Sequence, residues 1–214
     1  MTVKKENDKV RKYDWAIFAQ SYFLIARLAC QELLNTQNKK HSKSRNRDIP
    51  YTPADLFVAI LFNVKHGIEV FIKTLSLFAY GEYREGHDIR ELFIEVKQKI
   101  SKLNLTPSKP VYYDAVTKED INNSLRDLDK IETFVSYFYT LDLLKSKIGQ
   151  HYKIKDTQND FLRYPDNKAE VQVDWGTVLS SGIAEIDIKE IFQKLENLSE
   201  LFNKAGNLHA VLDR

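Results

Sequence analysis

Apolar residues recur every three or four positions along most of this chain, and that spacing predicts helices. From about Asp8 to Gln37, Trp15, Phe18, Tyr22, Ile25, Ala29 and Leu33 share one helical face, read as the inward one. The next stretch, Leu56–Tyr80, is apolar nearly all round and predicts a buried helix. Thr52-Pro53-Ala54-Asp55 starts it well: a capping hydroxyl, a proline at the first turn and an acidic residue at the positive end. Ile89, Leu92, Phe93, Val96 and Ile100 mark a third helix. Ile121, Leu125, Leu128, Ile131, Phe134, Val135, Phe138 and Leu141 mark a fourth. A fifth runs from about Asp187 to Ala205 and stops at Gly206. The expected spans are 10–37, 53–80, 88–103, 118–147 and 187–205.

Polar runs separate these helices. Residues 38–50 hold a basic loop beginning NKKHSKSRNR, with no aromatic among its cations. Gly81 and Gly86 bracket a tight connection, GEYREG. Residues 150–186 change character: Gly, Pro, Asn and Asp punctuate short β-prone pieces such as Glu170–Asp174. They read as an irregular insert or a small β-hairpin before the last helix. The expected architecture is a single all-α domain, 1–214, an antiparallel helical bundle with that insert.

Composition narrows the function classes. With 43% hydrophobic and 12% aromatic residues, 214 residues can bury a sizeable core, which excludes global disorder. The net charge is only +2, so no global polyanion-binding signature exists. One Cys excludes an intrachain disulfide and a cysteine-clustered zinc site. Leu56–Tyr80 carries Lys65, His66, Glu69 and Lys73, which argues against a lipid-facing span. The expectation is a cytoplasmic protein with no membrane contact, no metal and no cofactor.

Candidate chemistry concentrates in the second helix and the residues after it. Asn63, His66, Glu69 and Lys73 fall within one half of that helix, with Lys65 at the margin. Glu69 lies four residues from both lysines, so ion pairs along the helix are available. One reading is a satisfied network that sets bundle register; the other is a site for an anion or nucleotide. His87 and Asp88 open the third helix, where free N–H groups and the helix dipole favour anions. Cys30 reads as a small core residue. Arg163 and Tyr164 are a pair whose guanidinium and ring can both stack on bases.

The stretch Lys65-His66-Gly67-Ile68-Glu69-Val70-Phe71-Ile72-Lys73, followed by Gly86-His87-Asp88-Ile89-Arg90-Glu91-Leu92-Phe93, resembles the core of HEPN-domain proteins. Phe161-Leu162-Arg163-Tyr164-Pro165 is similar to an element of some prokaryotic members. The resemblance implies an all-α bundle with RNA- or nucleotide-related roles. Many members are metal-independent ribonucleases of phage-defence or toxin–antitoxin systems, often dimeric. It implies ligand contacts from Lys65, His66, Glu69, Lys73, Asp88, Arg163 and Tyr164. The family's catalytic signature, Arg followed after four to six residues by His, is absent from this chain. The catalytic candidates are therefore His87 as acid–base and Arg84 or Lys73 as the cation. The alternative is a non-catalytic, dimeric interaction module that binds a toxin, antitoxin, nucleotidyltransferase or other protein partner.

Overall fold

The computed structural model describes residues 3–5, 12–40, 52–107, 115–140 and 187–212. Five helices dominate them: α1 (Lys12–Lys40), α2 (Pro53–Tyr80), α3 (Ile89–Ser101), α4 (Lys118–Thr140) and α5 (Ile188–Leu212). Two strands, β1 (Val3–Lys5) and β2 (Glu82–Arg84), form one antiparallel ribbon with Val3 opposite Arg84 and Lys5 opposite Glu82. The protein is an all-α bundle. The β2 half of the ribbon lies where a tight connection was expected, because three residues per strand are too few to show a period-2 pattern. The 150–186 insert and any hairpin in it lie outside the described residues, as do residues 141–147 of the expected fourth helix.

The predicted caps form as their chemistry dictates. Thr52 Oγ1 accepts the Asp55 N–H, and the Asp55 carboxylate accepts the Thr52 N–H at 2.7 Å. Thr117 and Asp120 repeat that box at the start of α4. In both boxes hydrogen bonds from threonine hold the aspartate below its ordinary range. Gly81 ends α2 in the left-handed region at φ 68°, its N–H donating to the Leu77 carbonyl.

Adjacent helices mostly run antiparallel. Tyr13 meets Phe78 while Tyr22 meets His66, so α1 descends along α2. Gln20 meets Asn203 while Arg27 meets Glu196, so α5 descends along α1. Asp88 meets Tyr139 while Lys97 meets Asp129 and Glu132, so α4 descends along α3. The core of Phe23, Phe57, Ile60, Ile68, Ile72, Phe93, Ile131, Phe138, Leu195 and Leu198 fills the space among them.

Three expected boundaries or faces change. α1 buries Ala19, Phe23, Ala26, Cys30 and Leu33, while Phe18 and Ile25 are exposed. The helix carries two apolar stripes, and the one with small residues turns inward because it lets α2 approach closely. A Cβ on Gly67 of α2 would sit only 2.9 Å from the Phe23 ring. α1 also continues through Lys40, absorbing the first residues of the expected 38–50 loop; residues 41–50 lie outside the described set. α5 runs past Gly206 to Leu212. Burial of Leu208, Val211 and Leu212 outweighs the ~1 kcal/mol that glycine costs inside a helix.

One connection matters most for the site. α2 and α3 run the same way: His87, before α3, meets Glu69, and Lys99, near its end, lies over the Tyr80 ring. The link is therefore not a tight turn but an extended strap. Seven extended residues span ~23 Å, enough to return along the ~18 Å of helix between Gly81 and Glu69. The strap crosses α2 turn by turn. Ser76 Oγ donates to the Glu82 carbonyl at 2.7 Å, Lys73 lies 5.8 Å from the Tyr83 ring centre, and Glu69 bonds His87.

Candidate functional site

Glu69 is the centre of the polar stripe. It is 3% exposed, and a carboxylate that buried needs strong donors. Lys73 Nζ donates to its Oε1 at 2.7 Å. His87 Nδ1 lies 3.0 Å from the same oxygen. With Lys73 neutralising an ionised Glu69, Nδ1 carries the hydrogen and donates, which sets the tautomer of His87. His66 Nδ1 stands 3.9 Å from the other oxygen, Oε2, one turn earlier on α2. The sequence spacing of His66, Glu69 and Lys73 thus becomes one charged cluster, and the strap adds His87 to it.

The two histidines differ in setting. His66 stacks on Phe62 at 5.4 Å and meets Tyr22 edge-on at 4.9 Å, so packing fixes its ring. The side chain of His87 is 40% exposed, and its Nε2 has no hydrogen-bond partner among the described residues. Lys65 is buried on α2.

Asp88 caps α3, accepting from the N–H groups of Arg90 at 3.0 Å and Glu91 at 2.9 Å. Tyr139 of α4 donates its hydroxyl to the other Asp88 oxygen at 3.1 Å. Burial, and then the Asp88 charge, push the Tyr139 phenol up to about 12, so it stays a donor at neutral pH. The Arg90 guanidinium lies 5.8 Å from the Tyr139 ring centre. Sequence reasoning missed Tyr139. It stands 51 positions from Asp88, and its spacing marks only a helix face. Replacing Asp88 by alanine removes the cap and leaves the Tyr139 hydroxyl without its acceptor. A loss of about 1–2 kcal/mol is expected in thermal unfolding, with Asp88→Asn close to wild type.

Arg84 faces elsewhere. Its guanidinium binds Glu91 at 3.1 Å and Glu95 at 3.2 Å, both on α3. Lys99, with help from Arg84, holds Glu95 below its ordinary range. The structure therefore brings together His66, Glu69, Lys73, His87 and Asp88, and commits Arg84 to a neighbouring pair of glutamates. Arg163 and Tyr164 lie outside the described residues. Cys30 is fully buried, and burial pushes its thiol up to about 12, which removes thiolate reactivity. No group of three His, Cys, Asp or Glu among the described residues could hold a metal ion. No described helix is long and apolar enough to cross a membrane.

The cluster can do two things chemically. It locks the strap to α2, and it presents an oriented imidazole at the bundle surface. Comparison of the chain with protein-family models, with curated proteins and with solved structures finds no match.

Proposed function

We propose that this is a HEPN-like protein acting on RNA or a nucleotide through His87, in a phage-defence or toxin–antitoxin setting. The bond between Glu69 and His87 carries the reading. A buried carboxylate takes the Nδ1 hydrogen at 3.0 Å, which leaves the lone pair of Nε2 on a part-exposed side chain. In metal-independent cleavage that nitrogen removes the ribose 2′-hydroxyl proton as the 2′-oxygen attacks phosphorus. The 5′-oxygen then leaves with a proton from an acid. Glu69 is the positioning residue, steadying the imidazolium once it forms. Arg84 is held by its glutamates and the buried Lys73 by Glu69, so the exposed Arg90 is the better source of charge for the phosphorane.

The test is cleavage of mixed RNA by the purified protein in EDTA. Wild type should cut, and His87→Ala should lose at least ~100-fold, the usual share of an acid–base group. Absence of cleavage by wild type would remove this reading. A specific observation favours a second one. The cations of the stripe and strap, Lys73 and Arg84, are satisfied by carboxylates of this chain, as in a purely architectural network. On that reading the chain is a non-catalytic module binding a toxin, antitoxin or nucleotidyltransferase. It would then bind the product of a neighbouring gene in His87→Ala as well as in wild type.

A further inference from the structure

A groove of about 290 Å³ opens between α1 and α5. Side-chain bridges close its two ends: Gln20 Nε2 donates to Asn203 Oδ1 at 3.4 Å, and Arg27 Nη2 donates to Glu196 Oε1 at 3.3 Å. The bridges stand two turns apart on both helices, so the groove is ~10 Å long. Phe23 of α1 and Phe202 of α5 form its floor, their rings stacked with centres 4.6 Å apart. Ile17 and Leu24 add an exposed apolar wall on the α1 side. The described residues that line the groove belong to α1 and α5 alone, so it is separate from Glu69, His87 and the strap. Two polar groups of this lining are left over. Arg27 Nε and Ser199 Oγ are closed off from solvent and have no hydrogen-bond partner among the described residues. Ser199 is only 9% exposed. A helical hydroxyl can turn back to the carbonyl four residues before it, as those of Ser21, Thr36 and Thr74 do here. That of Ser199 does not, and a buried donor left unpaired costs stability. Ser199 lies one turn along α5 from Glu196, the partner of Arg27, which sets the two donors close together.

We infer that this groove binds a small uncharged aromatic molecule that carries a carbonyl group. A protein cavity of ~150 Å³ takes one benzene ring, so the groove has room for a substituted ring. The ring packs on the Phe23 and Phe202 floor and against Leu24, and its carbonyl oxygen accepts from Arg27 Nε and Ser199 Oγ. Small rotations bring those donors to it. The Arg27–Glu196 contact at 3.3 Å is long for a charged pair, which leaves the guanidinium room to turn its Nε edge. The Ser199 hydroxyl moves about χ1 alone. Charge decides against an anion. Arg27 is the one charged residue among those described that line the groove, and Glu196 already balances it. A carboxylate would gain Arg27 only in competition with Glu196. A carbonyl takes the two unused donors and leaves that pair intact.

Acetophenone, ethylbenzene and benzoate, titrated into the isotope-labelled full chain and followed by amide and methyl NMR, test it. Acetophenone and ethylbenzene have nearly the same shape and differ in the carbonyl. Acetophenone should give saturable shifts centred on Phe23, Leu24, Ser199 and Phe202. Ethylbenzene should bind at least about tenfold more weakly, because it leaves both donors unpaired. Ser199→Ala should weaken acetophenone by about three- to tenfold and leave ethylbenzene unchanged. It should melt no lower than wild type, because its hydroxyl has no bond to lose. Absence of saturable shifts up to the solubility of acetophenone, or shifts centred away from the groove, overturns the inference. So does ethylbenzene binding as tightly as acetophenone, which removes the role of the carbonyl. Benzoate binding more tightly than acetophenone overturns it as well, since the groove would then select an anion. A Ser199→Ala variant that keeps full affinity for acetophenone, or that melts well below wild type, shows the hydroxyl used elsewhere and has the same consequence. The three-probe comparison on wild type stands whether or not the variant folds.

Discussion

Glu69→Ala should destabilise the protein by about 3–5 kcal/mol, the cost of breaking a buried ion pair. Glu69 is 3% exposed and Lys73 9%, so the alanine leaves an ammonium in the interior with no anion. It also removes the oxygen that holds His87 at 3.0 Å, and with it the last anchor of the strap. For a chain of this size the loss corresponds to a fall in melting temperature of roughly 6–20 °C. Glu69→Gln separates two contributions. It keeps an acceptor for His87 and Lys73 but removes the charge, so its melting temperature should fall between wild type and alanine. Differential scanning calorimetry of the three proteins decides. An alanine variant melting within about 2 °C of wild type would mean that the carboxylate does not anchor the strap. The same series bears on His87. Glu69→Gln leaves the fold in place while weakening imidazolium stabilisation, so RNA cleavage should fall further than stability does.

Phe202→Ala should cost a similar amount, about 3–5 kcal/mol, for a different reason. Phe202 is 3% exposed, and its ring centre lies 4.6 Å from Phe23 and 3.8 Å from Phe71. This aromatic cluster is where α5 locks onto both α1 and α2. Alanine there leaves a cavity that three helices cannot close together. The cost therefore combines lost transfer energy and lost packing. Urea unfolding should show a lower midpoint with an unchanged slope. Phe202→Leu should recover most of the loss. A penalty for the alanine variant below about 1 kcal/mol would show that α5 is held by other contacts.

Much of the fold was legible in the sequence because local chemistry decided it. Thr52 with Asp55, Thr117 with Asp120, and Asp88 each announce a helix start through side chains that satisfy free N–H groups within three residues. The inward face of α3, Ile89, Leu92, Phe93, Val96 and Ile100, follows from its spacing because that helix has one apolar stripe. Burial of Glu69 followed as well. A carboxylate on a helix apolar all round has no way to water, and the lysine four residues on is within reach whatever the rest of the chain does.

What the sequence could not determine were choices between alternatives of similar local quality. α1 has two apolar stripes, and spacing does not say which turns inward. Close approach of Phe23 to Gly67 decides it, a contact across 44 positions of chain. Gly206 looks like a helix stop until Leu208, Val211 and Leu212 find a core to bury in. The residues after Gly81 read as a turn, since an extended segment that pairs with three residues near the N-terminus leaves no periodic trace. That strap makes α3 parallel to α2 and brings His87 to Glu69. The members of the cluster were readable one by one, each from its own helix or cap. Their meeting was not, because it depends on the path of the backbone between them.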